Sequence, residues 1–403
     1  MDPIDRRDFL ARTLSGLSTF SVIAQGLSVR TPAWLRTLPE GERILLVIEL
    51  GGGNDGLNVL VPFGADEYHK ARPTLGLAAR QCLELTPGLG LPADLKGMKA
   101  LYDAGKLALI QGVGYPNPNR SHFKSMDIWH SADPSTAVKV GGWLGRTVDE
   151  LAGGKRQDEA IVNLGLKPAL ALQGGRCSPI AFQDPASYRF VGSEAEARVF
   201  AEMARSEKND TEKILEIIGR TAETASTSSD RIRAAASGYK TPVAYPDTRL
   251  AGNLRTVASL IQAGLQTRVF YAYHNGFDTH TNQQQRHPRL LQELDGAVAA
   301  FQKDLERLGF AQRVATLVFS EFGRRVAENA SRGTDHGAAG PVFLLGGRVR
   351  GGLHGQAPSL ADLDRGDLRF TTDFRTIYAA IQQDWFGATP CTNFARGALF
   401  SLS

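Results

Sequence analysis

Two imidazoles and a carboxylate lie within seven residues of one another in the segment His274-Asn275-Gly276-Phe277-Asp278-Thr279-His280, in a chain with only eight histidines. In an extended backbone Asp278 and His280 point to the same side, because side chains alternate along a strand. Carboxylate oxygens and imidazole nitrogens are common ligands of divalent metal ions. We therefore predict a metal site that includes Asp278 and His280, and a solvated polar loop is the alternative.

Further potential ligands follow the apolar run that ends at Ser320. Glu321 comes directly after it, and Asp335 and His336 stand together between glycines a dozen residues later. With the preceding segment they form a set of oxygen and nitrogen donors suited to a divalent ion such as Zn, Mg, Mn or Ca. We predict that Glu321, Asp335 and His336 belong to the same metal site.

Asp55 lies in a glycine-rich segment, Glu49–Asn58, which follows another apolar run. Its glycines let the backbone approach a ligand closely, so Asp55 is a further candidate metal ligand, and a tight turn is the alternative. The segment lacks the Lys-Ser/Thr ending of a P-loop. No helical pattern follows its Gly-x-Gly-x-x-Gly spacing, so a dinucleotide site is not indicated.

Ser121 is the candidate nucleophile, because it stands where a helical pattern begins after a proline-containing approach. A helix N-terminus offers free N–H groups and a partial positive charge, which favour an anion and lower the pKa of a hydroxyl. The alternative role of Ser121 is an N-cap. Arg120 and His122 flank it and fit an oxyanion site.

Buried strands alternate with helices along the chain and must position these residues. Six apolar, often β-branched runs predict strands over residues 43–50, 106–113, 160–166, 267–274, 313–320 and 341–347. Helical patterns lie between them, most clearly over Pro288–Leu308. This alternation predicts an α/β fold with a mostly parallel sheet covered on both faces. Ligand sites in such sheets lie at the carboxyl ends of the strands, where we expect the polar segments to meet.

The composition is that of a globular protein. Of the 403 residues 42% are hydrophobic and 22% charged, and 46 Lys+Arg against 42 Asp+Glu give a net charge of +4, which argues against a mainly disordered chain. No block of basic residues indicates a nucleic-acid partner. Three cysteines, Cys82, Cys177 and Cys391, are too few for a disulfide framework.

The first 40 residues predict export. Arg6 and Arg7 precede Phe9-Leu10 and an uncharged, weakly hydrophobic stretch over residues 13–29, which is typical of a twin-arginine signal. An amphipathic helix is the alternative. No other stretch could span a membrane, so we expect a periplasmic or secreted protein. Residues 41–403 are expected to form one domain, in which the polar stretch 193–245 is a helical insertion.

The order of these motifs resembles that of the DUF1501 family of exported proteins of unassigned function. The matching segments are the twin-arginine motif, Glu49–Asn58, Asn119–Phe123, Gly276–His280, Ser320–Arg324, Thr334–Gly337, Thr372–Tyr378 and Asp384–Gly387. That family looks like a distant branch of the alkaline phosphatase and sulfatase superfamily. The resemblance implies a three-layer α/β/α sandwich with a nucleophile at a helix N-terminus beside one or two metal ions.

Carried over residue by residue, the resemblance gives Ser121 the nucleophile position and Asp55 or Glu49 the ligand after the first strand. It makes Asp278, His280 and His336 metal ligands, with Glu321 in place of an aspartate. Phe322 stands where the superfamily has a histidine, and a phenyl ring cannot bind a metal, so a full two-metal site is in doubt. No Cys-x-Pro-x-Arg motif lies near Ser121, which disfavours a formylglycine sulfatase.

The implied activity is metal-dependent hydrolysis of phosphate or sulfate esters. Arg120 and Arg324 would bind the anion, and His122 would act as general acid for the leaving group. A small anionic ester or a polyanionic saccharide is the expected substrate, and no protein partner is indicated. The alternative is a non-catalytic secreted scaffold that keeps the fold. An oxidoreductase with an organic cofactor would also explain the export signal, but no cofactor motif supports it.

Overall fold

The computed structural model describes residues 42–135, 141–188 except 156, 158, 175 and 178, 228–394 except 393, and 399–400. The predicted export signal and residues 193–227 of the predicted insertion therefore lie outside the described residues, while residues 228–238 are helical. Within the described part, no helix combines the length and the apolar character needed to cross a membrane.

Thirteen strands are described, in one large sheet and two small hairpins. They are β1 (Ile44–Gly51), β2 (Cys82–Thr86), β3 (Leu89–Pro92), β4 (Leu107–Gly114), β5 (Ile161–Leu164), β6 (Ile180–Phe182), β7 (Val269–Asn275), β8 (Val314–Phe319), β9 (Gly340–Gly346), β10 (Gly352–His354), β11 (Leu363–Asp364), β12 (Asp367–Leu368) and β13 (Thr372–Asp373). The large sheet has the order β10-β4-β9-β8-β1-β7-β5-β6, and β13 also pairs with β4. All six predicted strands belong to it.

The large sheet is mostly parallel, as the sequence predicts. Strands β8, β1, β7, β5 and β6 run parallel to one another. Strand β9 is antiparallel to both β8 and β4, so β4 runs in the same direction as β8. The carboxyl ends of β1, β4, β7 and β8 therefore meet at one edge, where β9 begins.

Helices cover both faces of the sheet and complete a three-layer α/β/α sandwich. They are α1 (Asp66–Ala71), α2 (Lys96–Asp103), α3 (His122–Ser131), α4 (Trp143–Leu151), α5 (Arg249–Gln262), α6 (Gln283–Leu308) and α7 (Phe374–Ala380), which continues as a π-helical turn over Ile381–Phe386. One core joins Leu46 and Ile48 of β1 to α5 and α6, and the other joins Val47 to α3, α4 and α7. Because alternate residues of β1 enter opposite cores, the strand reads as a continuous apolar run.

Helix α6 begins at Gln283, five residues before the predicted start at Pro288. The apolar period that predicts the helix begins only at Leu290, because the first turns present Gln283 and His287 to a buried polar region. The proline lies inside the helix, near enough to its N-terminus to remove a single internal hydrogen bond. The early start brings the helix next to the loop that follows β7.

The three cysteines are free thiols. Cys177 is buried, Cys82 is partly buried and Cys391 is exposed. The described residues are held together by apolar cores and by buried polar contacts rather than by a disulfide.

Truncating Phe270 in β7 tests the importance of the core. Its side chain is fully buried, so Phe270→Ala is expected to lower the free energy of unfolding by about 3–5 kcal/mol. Phe123→Ala removes the same atoms from a side chain that is 85% exposed, and should change stability by less than about 0.5 kcal/mol. Urea unfolding followed by circular dichroism measures both, and equal losses would contradict the fold.

Candidate metal centre

Three histidines and one aspartate converge at the carboxyl edge of the sheet. His336 Nε2 lies 2.9 Å from His280 Nε2 and 3.2 Å from Asp278 Oδ1. His280 Nε2 lies 3.0 Å from the same Asp278 oxygen, and His122 Nε2 lies 3.6 Å from Asp278 Oδ2. We call these four residues the histidine–aspartate cluster. They come from the loops after β7 and before β9 and from the first residue of α3.

Each imidazole of the cluster has an acceptor at its other nitrogen. His122 Nδ1 lies 2.7 Å from Glu321 Oε1, and His280 Nδ1 lies 3.0 Å from Asp335 Oδ1. His336 Nδ1 lies 2.8 Å from the backbone oxygen of Arg120. These acceptors hold a proton on Nδ1 of each ring, so the three Nε2 atoms, which all face Asp278, would bind an ion when they carry no proton of their own.

This arrangement fits a bound metal ion. Ligands about 2.0–2.1 Å from a tetrahedral ion lie about 3.3 Å apart, close to the four separations of 2.9–3.6 Å given above. Among the described residues, the ligand atoms of His122, Asp278 and His336 all lie within 4.8 Å of one another, and His280, which is close to Asp278 and His336, is a further candidate ligand. Among the described residues, His122 Nε2 is a buried nitrogen with no hydrogen-bond partner. A metal-binding histidine usually donates a hydrogen bond from Nδ1 to a carboxylate, while its Nε2 faces the other ligand atoms.

The structure changes the predicted roles of three residues. His122, predicted as a general acid, lies among the potential ligands. Glu321 and Asp335, predicted as ligands, instead accept hydrogen bonds from His122 and His280 and hold those rings in place. The correction has a simple cause, because spacing along the chain does not show which atom of a side chain points inward.

Glu321 is an anchor for the loops around the cluster. Its buried carboxylate also accepts a hydrogen bond from the backbone N–H of Gly52 and from the hydroxyl of Ser320. Burial acts to raise the pKa of Glu321, but the hydrogen bonds from His122, Ser320 and Gly52 outweigh it and lower the pKa. The hydrogen bond to Glu321 in turn raises the pKa of His122.

Asp278 stays ionised in its setting. Partial burial acts to raise its pKa, but hydrogen bonds from Arg324 and His336 outweigh that effect and lower the pKa to about 2. For Asp335 the pKa is also lowered, first by the hydrogen bond from Asn329 and then by the one from His280. Both carboxylates are therefore available as anions at neutral pH.

Arg324 does not line the mouth of the site, which corrects its predicted role as an anion-binding residue. Its side chain is fully buried and donates to Asp278 Oδ1 and to the backbone oxygens of Gly52, Gly53, Phe277 and Thr334. A guanidinium with its donors used in this way fixes loop geometry rather than binding a substrate.

Glycines make the close approach of these loops possible. Gly52 has a φ of +121° and Gly53 a φ of +72°, both in the region that favours glycine. A Cβ atom on Gly52 would lie 2.3 Å from the backbone nitrogen of Asp278, and one on Gly53 would lie 2.3 Å from the ring of Phe322. The glycine-rich segment therefore serves packing against the metal-site loops.

Asp55 lies outside the cluster, which corrects its prediction as a metal ligand. It is fully buried, and Arg72 donates to both of its carboxylate oxygens, at 2.6 and 2.8 Å. Burial acts to raise the pKa of Asp55, but the charge and hydrogen bonds of Arg72 outweigh it and lower the pKa. An oxygen pair already occupied by a guanidinium is not available to an ion.

Gln283 links Asp55 to both metal-site loops. Its amide N–H donates to Asp55, while its oxygen accepts from the hydroxyls of Thr279, at 3.1 Å, and Thr334, at 2.7 Å. Thr279 lies between Asp278 and His280, and Thr334 immediately precedes Asp335. The sequence indicates Gln283 only through the polar start of α6, and Arg72 only as an arginine near apolar residues. Neither signal predicts that the two side chains meet.

The aromatic ring of Phe322 packs against two of the histidines. Its centroid lies 5.0 Å from that of His122 and 4.8 Å from that of His336. The ring is buried and brings no ligand atom to the cluster. The phenylalanine that stands in place of the superfamily's histidine therefore packs behind the imidazoles.

Ser121 occupies the N-cap position of α3 and is exposed, but its side chain makes no capping hydrogen bond. Its hydroxyl is thus not engaged in the N-cap contact that the alternative role requires. Helix α3 is fixed by Ser125, whose hydroxyl contacts the hydroxyl of Tyr115 at 2.9 Å and donates to the backbone oxygen of Glu321 at 2.5 Å. At its other end His130 contacts Glu49 at 2.9 Å, so Glu49 is also outside the cluster.

Two arginines flank the cluster and share one carboxylate. Arg120 pairs with Asp367, and Arg325 Nε lies 3.5 Å from the other oxygen of Asp367. Burial raises the pKa of Asp367 against the effect of both cations. The side chains of Arg120 and Arg325 are 40% and 36% exposed, whereas Asp367 is buried, so both guanidinium groups are accessible to solvent.

Comparison with known proteins identifies the family. The profile described as "Protein of unknown function (DUF1501)" matches residues 108–389, more than half of the chain, and the chain belongs to this family. No curated protein matches the sequence.

Solved structures resemble the chain at low similarity. One is a protein in the alkaline phosphatase superfamily from Vibrio parahaemolyticus, with 10% identity, a TM-score of 0.37 and coverage of 90% of this chain and 74% of that one. Another is the PsFucS1 sulfatase from Pseudoalteromonas sp., with 10% identity, a TM-score of 0.38 and coverage of 86% and 68%. A third is the phosphonate monoester hydrolase SpPMH from Silicibacter pomeroyi, with 10% identity, a TM-score of 0.35 and coverage of 89% and 76%.

Replacing Asp55 tests the buried ion pair. Asp55→Asn leaves the guanidinium of Arg72 without its counter-charge and is expected to lower the free energy of unfolding by about 3–5 kcal/mol at pH 7. Because the folded-state pKa of Asp55 is lowered, its contribution is present above the unfolded value of about 3.9 and is lost as pH falls through the folded value. In urea unfolding, the free energy of unfolding should differ most between the variant and wild type at pH 7. The difference should become smaller as the pH is lowered into the acidic range.

The matched control is Asp362→Asn, which removes a charge from a carboxylate that is 72% exposed and paired with Arg369. Its effect should stay below about 1 kcal/mol at any pH. A small, pH-independent effect of Asp55→Asn would show that the buried pair is not an anchor.

Proposed function

We propose that this DUF1501 protein is a metal-dependent hydrolase of phosphate or sulfate esters, with one ion held by the histidine–aspartate cluster. The observation that carries the proposal is the convergence of three imidazole Nε2 atoms on Asp278, each ring held at Nδ1 by an acceptor. Donors that are mainly imidazole favour Zn²⁺ or a similar transition metal over Mg²⁺ or Ca²⁺, which take oxygen ligands.

The ligands are accessible to a substrate. Asp278 is 47% exposed and His280 40%, so the cluster opens to solvent rather than being closed like a structural zinc site. When bound, a divalent ion would supply Lewis-acid polarisation of an ester oxygen and would lower the pKa of a nearby hydroxyl.

The residues around the cluster would do the rest of the chemistry. Ser121 would attack the phosphorus or sulfur centre from the N-terminus of α3, whose free N–H groups stabilise negative charge there. The serine hydroxyl would lose its proton to solvent water, the ester P–O or S–O bond would break to release the alcohol, and a water molecule would then hydrolyse the phosphoserine or sulfoserine and restore Ser121. Arg120 would orient the anion. Arg325 would be the second anion-binding arginine, the role for which the sequence suggests Arg324. With His122 among the ligands, protonation of the leaving group would fall to solvent water.

Metal content tests the site directly. Protein purified without a His-tag or chelator should hold about one divalent ion per chain by inductively coupled plasma mass spectrometry, and the Asp278→Ala/His336→Ala variant should hold none. His354→Ala is the matched control, because His354 is half-buried, contacts a backbone oxygen and lies outside the cluster. Equal metal content in all three proteins, or none in wild type, would contradict the site.

Replacing Ser121 tests the covalent step. Ser121→Ala should lower kcat for p-nitrophenyl phosphate or p-nitrophenyl sulfate at least about a hundredfold while leaving metal content unchanged. Ser237→Ala, an exposed serine on another helix, should have no effect. Undiminished turnover in Ser121→Ala would exclude the covalent step, and a metal-loaded protein that hydrolyses neither ester would favour the non-catalytic scaffold.

A further inference from the structure

The β11–β12 hairpin brings a buried carboxylate to the rim of the candidate metal centre. Asp367, the first residue of β12, is only 2% exposed. One of its carboxylate oxygens accepts a hydrogen bond from Nη2 of Arg120, and the other lies 3.5 Å from Nε of Arg325. The proposed reaction gives both arginines a role but leaves Asp367 without one.

The backbone of both arginines is fixed against the histidine–aspartate cluster. The backbone oxygen of Arg120 accepts the hydrogen bond from Nδ1 of His336. The backbone N–H of Arg325 donates to the backbone oxygen of Asp335 at 2.9 Å, and Arg324, the residue before it, forms a β-bridge with His336. The cluster therefore determines where the two side chains begin, but not where their guanidinium groups lie.

The hairpin restricts the guanidinium groups themselves. A free arginine side chain takes many rotamers, and ordering it costs conformational entropy. Asp367 holds Arg120 by Nη2 alone, and within the described part of the chain the Nε and Nη1 of Arg120 make no hydrogen bond. The hairpin turn also holds Arg325, whose Nη2 donates to the backbone oxygen of Arg365 at 3.1 Å. Each guanidinium is thus placed while it keeps N–H groups that can bind an anion.

The second oxygen of Asp367 distinguishes this carboxylate from one that only supports the fold. This oxygen, Oδ1, is buried and has no hydrogen-bond partner among the residues that the structure describes, since the 3.5 Å contact with Arg325 does not meet the geometry of a hydrogen bond. By contrast, Arg72 donates to both oxygens of Asp55, the buried carboxylate of the interior. A buried charge with incomplete hydrogen bonding is unusual and indicates a role at the site.

We propose that Asp367 is a positioning residue, which holds the guanidinium of Arg120 beside Ser121 so that its free N–H groups meet the anion of the substrate. Arg120 and Ser121 are adjacent in the chain. An arginine binds an oxyanion best through two parallel hydrogen bonds, which require a fixed guanidinium plane. The inference rests on the proposed function for the anion, and it adds that the β11–β12 hairpin, distant along the chain, controls how tightly that anion binds.

Charge and position make opposite predictions for the variant Asp367→Asn. If Asp367 acted only as a charge, its removal would leave the arginines without a counter-ion and strengthen anion binding. If Asp367 positions Arg120, the weaker hydrogen bond to a neutral amide lets the guanidinium move, and anion binding weakens. The matched control is Asp362→Asn, which removes a carboxylate that is 72% exposed, just before the same hairpin, and should leave anion affinity unchanged.

Isothermal titration calorimetry with inorganic phosphate measures the effect as a double-mutant cycle. Asp367→Asn should weaken phosphate binding about tenfold, and Arg120→Ala at least as much. In the Arg120→Ala background Asp367→Asn should cause no further loss, because Asp367 acts through the guanidinium that is already removed. Asp367→Glu is the second variant, since it keeps the buried charge but moves the carboxylate by one methylene, and it should also weaken binding.

Urea unfolding identifies which variants are folded, and the cycle is read from those. Phosphate binding that is absent in wild type, unchanged or tighter in the folded variants at position 367, or weakened equally with and without Arg120 overturns the inference. Turnover of p-nitrophenyl phosphate separates the two proposals. A wild type that binds phosphate with the expected coupling but hydrolyses no ester would sustain the positioning role while the proposed hydrolase fails, and turnover without coupling would show the reverse.

Discussion

The candidate metal centre depends on one buried carboxylate, Asp55, and on the groups that neutralise it. A fully buried charge is tolerated only when it is paired and hydrogen-bonded, and Arg72 and Gln283 meet both conditions. Because the oxygen of Gln283 also accepts from Thr279 and Thr334, the same contacts fix the separation of the two loops that bring ligands to the cluster. The site is therefore built on a polar anchor inside the fold.

A second layer of contacts orients the potential ligands themselves. Glu321, Asp335 and a backbone oxygen each hold one imidazole from behind, and Arg324 holds Asp278. Ligands fixed in this way lose little conformational freedom when an ion binds, which favours affinity. The front of the cluster, where Asp278 and His280 are partly exposed, is open to solvent beside Arg120.

Much of the fold and part of the site follow from the sequence. Six strands and the parallel character of the sheet are predicted because a strand covered on both faces reads as a continuous apolar run. The start of α6 is missed, since Gln283 and His287 break the apolar period there while facing buried polar partners. Asp278, His280 and His336 are brought together as expected, because strand ends meet at one edge of the sheet.

The sequence by itself determined which residue types reach that edge: histidines and carboxylates after the strands, and a serine at the start of α3. Only the tertiary structure decided their roles. It placed His122 among the potential ligands, put Glu321 and Asp335 behind them, and assigned Asp55 and Arg324 to the interior. The physical reason is that a role depends on which atom points inward and on which partner neutralises a buried charge, and both are set by residues distant along the chain.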